Sequence, residues 1–118
     1  MFDKFIEISM LCGFYGGLLP KKQSLFLKAY YEEDCSLSEI AQQYGISRQG
    51  VHDAIKKAEK SLREYEEALG LVHRFLKTEQ ALKKIDTEID LLTEQYCEDP
   101  QLIYRLQSMK QAIDSLNE

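Results

Sequence analysis

The twenty residues from Leu37 to Lys56, LSEIAQQYGISRQGVHDAIK, restrict the fold more than any other stretch of the chain. They read as two short amphipathic helices broken at Gly45, the pattern of a helix-turn-helix unit. Gly45 stands where the first helix must stop, in a left-handed conformation that costs most other residues about 1 kcal/mol or more. Ala41 is small, which lets the two helices cross closely beside it. Ile40, Tyr44, Ile46, Val51 and Ala54 carry the apolar faces and are expected to point into the angle between the helices. Ser47 is placed to cap the second helix by accepting from the amide of Gln49 or Gly50. Ser36 and Glu39, three residues apart, form a capping box that fixes the start of the first helix independently of its apolar pattern.

A chain of 118 residues, 44% of them apolar, is long enough for one domain or a small domain with an appendage. The longest apolar candidate, residues 8 to 19, is too short for a membrane span and lacks the flanks of a signal peptide, so a cytoplasmic protein with no membrane partner is expected. Cys12, Cys35 and Cys97 are widely separated and His52 and His73 isolated, which points to reduced thiols and no metal site. The net charge of -5 argues against a uniformly basic surface. Residues 20 to 66 hold eight basic and eight acidic side chains, whereas residues 67 to 118 hold six and ten, so the acidity lies mainly in the C-terminal half. Arg48, Lys56, Lys57, Lys60 and Arg63 form a basic cluster on or just beyond the second motif helix, a pattern suited to phosphate contact or simply to a solvated helix face.

The spacing predicts an N-terminal helix over residues 2 to 15 with Phe2, Phe5, Ile6, Ile8, Ser9 and Cys12 on one broad face. A second helix is expected from Lys21, with Pro20 suited to its first turn and Leu25, Phe26, Ala29 and Tyr30 as its buried stripe. The second motif helix has no stop before Gly70. Beyond it a heptad pattern runs through Leu71, Phe75, Thr78, Leu82, Ile85, Ile89, Leu92 and Tyr96. Asp99-Pro100 then starts a last helix carrying Leu102, Leu106, Met109, Ile113 and Leu116, and two matched seams joined by a short loop predict an antiparallel hairpin. The expected fold is all-α: a helix-turn-helix domain over residues 1 to 66, and a hairpin over 67 to 118 that packs on the core or on a partner chain. A spare apolar edge at Leu76 and Leu91 suggests a homodimer.

No phosphate loop, nucleophile elbow or HExxH is present, so no catalytic activity, cofactor or small-molecule substrate is expected. If the motif meets DNA, the residues facing the major groove are Ser47, Arg48, Gln49, His52, Asp53 and Lys56. Arg48 suits guanine and Gln49 suits adenine, whereas Asp53 repels phosphate and is useful only opposite cytosine. Lys22, Lys56, Lys57 and Lys60 would hold the backbone, and such a reader is weak unless it is doubled by a dimer.

Residues 20 to 65 resemble the fourth region of bacterial sigma factors, through Leu19-Pro20, Tyr30-Tyr31-Glu32, Leu37 to Ala41, Gly45 to Arg48, Val51 and Lys60 to Arg63. Where such readers typically carry Glu and Arg the chain has Gln49 and His52, and it lacks the sigma regions that bind polymerase, so a working sigma factor is not expected. The whole chain, with its N-terminal FDKFIEISMLCGFYGGLLPKKQ and C-terminal hairpin, is more similar to the YlxM-like family of small bacterial helix-turn-helix proteins. That resemblance implies a regulator in the signal recognition particle (SRP) targeting pathway and supplies no ligand; the intact motif and the basic cluster make DNA or the SRP RNA the expected partner. The alternative is an adaptor that binds the SRP GTPase without touching nucleic acid.

Overall fold

The computed structural model describes residues 3–116, and among these the chain forms six α-helices and no strand. The helices are α1 (Lys4–Tyr15), α2 (Lys21–Tyr31), α3 (Leu37–Tyr44), α4 (Arg48–Leu69), α5 (Leu71–Gln95) and α6 (Pro100–Ser115), with a single 3-10 turn at Gly16–Leu18 after α1. No helix among the described residues is long and apolar enough to cross a membrane. The chain divides into two compact units, one ending at His73 and the other beginning at Arg74.

The helix ends follow local chemistry. Asp3 caps α1 by accepting from the Phe5 amide. Ser36 and Glu39 make the full reciprocal capping box at α3, each bond 3.0 Å long. Asp99 caps α6 with Pro100 in its first turn. Pro20, expected inside the first turn of α2, occupies the cap position instead. Gly70 takes φ 63°, ending α4 and letting α5 begin one residue later.

The core of the first unit is built from α1, α2, α3 and α4, with α4 packed against the other three. Ile8, Leu11, Tyr15, Phe26, Leu27, Ile40, Val51, Ile55, Ala58 and Leu62 are buried together. Two of the expected stripes are rotated. On α1 the buried row is Ile8, Leu11 and Tyr15, while Phe5 and Ile6 stay exposed; Phe2 lies outside the described residues. On α2 it is Phe26, Leu27, Ala29 and Tyr31, leaving Leu25 exposed and Tyr30 half-buried. Partners explain the second rotation. Phe26 meets Tyr44 of α3 edge-on, ring centroids 4.9 Å apart, and the Tyr31 hydroxyl donates to the buried Glu59 of α4 at 3.1 Å.

In the second unit, Lys110 of α6 pairs with Asp86 and Asp90 of α5, so α6 returns alongside α5. These two carboxylates hold the Lys110 ammonium above its ordinary pKa, the Asp90 bond being the larger influence. Ile89 and Leu106 are buried, and Leu82, Thr93, Leu102, Ile103 and Ile113 are half-buried. Only part of the expected heptad seam is therefore used. Ile85, Leu92 and Tyr96 of α5 and Met109 and Leu116 of α6 remain exposed.

Candidate nucleic-acid interface

The connection between α3 and α4 is set by three residues. Gly45 has φ 68° and ψ 32°, and both its amide and that of Ile46 donate to the Ala41 carbonyl, which closes the end of α3. Ser47 Oγ then accepts from the Gly50 amide at 3.0 Å and starts α4. Ile40 and Val51 are fully buried between the helices, with Tyr44 and Ala54 half-buried beside them. Ile46, expected in the same angle, is exposed, because the turn that Gly45 makes carries it outward. A Cβ at Gly45 would meet nothing within 4 Å, so the only obstacle to a side chain there is the backbone conformation. Gly45→Ala is expected to cost about 1 kcal/mol and lower the thermal midpoint by about 3–6 °C, with Gly45→Asn milder because asparagine tolerates this region. Equal stability of wild type and the alanine variant in thermal unfolding would contradict the turn geometry.

Helix α4 presents two opposite faces. Val51, Ile55, Ala58, Glu59 and Leu62 face the core. Arg48, Gln49, Asp53, Lys56, Lys57 and Lys60 are exposed and His52 half-buried; Gln49 to Lys60 fall on one side over about three turns, whereas Arg48, in register with Ile55 and Glu59, is exposed because it stands in the first turn, ahead of the core contact. Ser47 sits at the head of this row with its oxygen committed to the cap. The structure thus brings the expected base- and phosphate-facing residues other than Arg48 onto a single surface. Asp53 is already engaged within it: Gln49 Nε2 donates to Asp53 Oδ1 at 2.8 Å, and His52 Nδ1 lies 3.4 Å from the same oxygen. Gln49 therefore has its amide group held by its own helix. Lys57 and Lys60 extend into solvent along the row and Arg48 at the start of the helix, and Lys22 of α2 is a further exposed charge.

Arg63 behaves differently from the cluster it belongs to in sequence. Its guanidinium lies 3.3 Å from Glu7 of α1 and 3.9 Å from Glu59, so it ties α4 to α1. Glu59, the one buried charged side chain among the described residues, also has Lys4 Nζ at 3.3 Å. Burial, and then the Glu59 charge, push the Tyr31 hydroxyl up to about 12. Lys4, Lys56 and His52 border a small cleft of about 150 Å³ whose floor is Glu59 and Ile55. Lys4 had no place in the sequence reading of this surface, since only the packing of α1 on α4 brings it next to residues fifty positions away.

A second cluster fixes the far end of α4. Glu66 accepts from the Tyr15 hydroxyl at 2.6 Å and from the Val72 and His73 amides at 3.0 Å each, while the Leu71 amide donates to the same Tyr15 oxygen at 3.0 Å. A glutamate on one helix thus caps the next. Burial works against its charged form, but the bonds from Tyr15, Val72 and His73 outweigh it and hold the carboxyl below its ordinary value. The Tyr15 hydroxyl is raised, by burial first and by its bond to Glu66 second.

Two short crossing helices, a left-handed glycine between them and a capped, outward-facing second helix define a helix-turn-helix protein. Comparison with known families agrees: residues 2–103 match the UPF0122 family, described as "Putative helix-turn-helix protein, YlxM / p13 like", and the chain belongs to that family. A UPF0122 protein of Thermoanaerobacter sp. (strain X514) is 40% identical over 117 residues, covering 99% of each chain. One from Geobacillus sp. (strain WCH70) is 39% identical over 111 residues, 94% of this chain and 98% of its own. One from Desulforamulus reducens is 45% identical over 87 residues, 74% of each chain.

Proposed function

We propose that the protein is a nucleic-acid-binding regulator of the SRP targeting pathway, with a sigma-region-four-like core, and that it meets DNA or the SRP RNA through the exposed row of α4. The observation that carries this reading is the exposed row of Lys56, Lys57 and Lys60 on the open side of α4, with Arg48 exposed at a helix start that is correctly turned and capped. Arg48 is the side chain placed to fork onto a base, and the lysines serve the phosphates. The pathway itself comes from the resemblance to YlxM-like proteins.

A specific observation favours the alternative of an adaptor for the SRP GTPase. Gln49 and His52 are turned onto Asp53, so the segment that would read bases spends its polar groups on itself and keeps a carboxylate in the row. Salt titration separates the two. Binding to fluorescently labelled operon DNA or SRP RNA is expected to weaken as salt rises, and Lys56→Gln with Lys60→Gln is expected to reduce the log-log slope by about 2, roughly one unit for each phosphate no longer neutralised. No binding of either nucleic acid at low salt, with the GTPase still bound, would replace the first reading by the second.

A further inference from the structure

We propose that the hairpin of α5 and α6 pairs with the hairpin of a second copy of this chain, the two α5 helices running antiparallel. Two buried side chains, Ile89 and Leu106, are the whole fully buried apolar content of the second unit among the described residues. A two-helix unit of that kind is far below what supports a stable core alone, and association is the usual remedy.

The geometry says which face is used. Leu82, Asp86, Ile89 and Thr93 of α5 and Leu102, Ile103, Leu106, Lys110 and Ile113 of α6 are withdrawn from solvent. The other row of each heptad seam, Thr78, Ile85 and Leu92 on α5 and Met109 and Leu116 on α6, lies about a quarter-turn away from the contact between the helices. Because the helices run in opposite directions, both rows emerge on the same side of the hairpin. They are exposed there, Ile85 at 49%, Met109 at 52% and Leu116 at 67%. The opposite side carries Lys83, Asp90, Gln107 and Asp114, with the half-buried Leu76 and Ile103 as its apolar members. One apolar face on a hairpin with sustained heptads fits a four-helix bundle. The edge expected at Leu76 and Leu91 does not form part of it: Leu76 is half-buried and Leu91 falls on the outer side of α5.

Charge selects a second copy in antiparallel orientation. Lys77 and Lys84 flank the N-terminal half of the open row on α5, which Arg74 heads, whereas Glu88 flanks its C-terminal half, and all four are exposed. Antiparallel pairing centred near Ile85 keeps these flanks on one side of the seam and places Glu88 of each copy by Lys84 of the other; parallel pairing would put the two flanks on opposite sides of the seam and lose that match. Ala81, in the same flank, leaves room for close approach.

Sedimentation and light scattering on the full chain test this. The wild type at micromolar concentration is expected at twice 13.7 kDa. Ile85→Glu with Met109→Glu is expected to halve the mass while circular dichroism shows the first unit still folded, and Ile6→Glu on α1 is expected to leave the mass unchanged. Lys84→Glu and Glu88→Lys are each expected to weaken the dimer several-fold, and an equimolar mixture of the two to recover it. Cys97, exposed beyond the C-terminal end of α5, should resist disulfide formation between copies, since antiparallel pairing keeps the two thiols at opposite ends. A wild-type mass of 13.7 kDa, dissociation by Ile6→Glu and not by Ile85→Glu, or ready Cys97 cross-linking would each overturn the proposal.

Discussion

Replacing Phe26 with alanine is expected to destabilise the first unit by about 3–5 kcal/mol, a large share of the roughly 5–15 kcal/mol typical of a small domain. Phe26 is 2% exposed and its ring edge meets Tyr44, the last residue of α3. Truncation leaves a cavity under the end of the first motif helix and removes the aromatic contact that fixes its angle to α2. The damage is expected to reach the turn as well, because α3 sets where the turn delivers Arg48. Urea unfolding followed by circular dichroism is the measurement, with Leu25→Ala as the comparison. Leu25 is the neighbour that the sequence pattern places inside, yet it is exposed. Its truncation is expected to cost less than about 1 kcal/mol. Equal losses at the two positions would mean that the face of α2 has been assigned wrongly.

Glu66→Ala is expected to cost about 2–3 kcal/mol, since it leaves the buried Tyr15 hydroxyl and the first amides of α5 without their acceptor. The charge is separable from the shape through pH. The folded state holds the Glu66 carboxyl below its ordinary value of 4.5, so the ionised form is the stabilising one. Its contribution is fully present above about pH 4.5 and is lost as the pH falls through the lower, folded value. The stability gap between wild type and Glu66→Gln should accordingly be constant near neutrality and close in acid. A gap that stays constant down to about pH 3 would show that the carboxylate charge plays no part in holding α4 to the start of α5.

Much of the candidate surface is legible in the sequence, for a physical reason that Ser47 and Gly45 illustrate. A cap bond spans three residues and a helix stop spans one, so Ser36 with Glu39, Gly45, Ser47, Gly70 and Asp99-Pro100 act through neighbours already visible in the chain. The exposed row from Gln49 to Lys60 follows in turn, because a helix started at a known residue places every later side chain by its periodicity. The self-engagement of Asp53 was not anticipated, although Gln49 and Asp53 stand one turn apart, the spacing at which such a bond forms.

The sequence by itself determined the stops and caps at Ser36, Gly45, Ser47, Gly70 and Asp99-Pro100, the helix-turn-helix at Leu37 to Lys56 and the family to which the chain belongs. Tertiary structure alone decided which way the helices are rotated, because α2 offers apolar residues at 25, 26, 27, 29, 30 and 31 and nothing local prefers one set. Tyr44 and Glu59, from other helices, make the choice by giving Phe26 and Tyr31 partners. The same holds for Glu66 and Tyr15, 51 residues apart, and for Lys4, which joins Glu59 and the edge of the exposed row on α4 only when α1 packs on α4. Periodicity names the faces that can be buried; the partner across the gap, which no local window contains, selects the one that is.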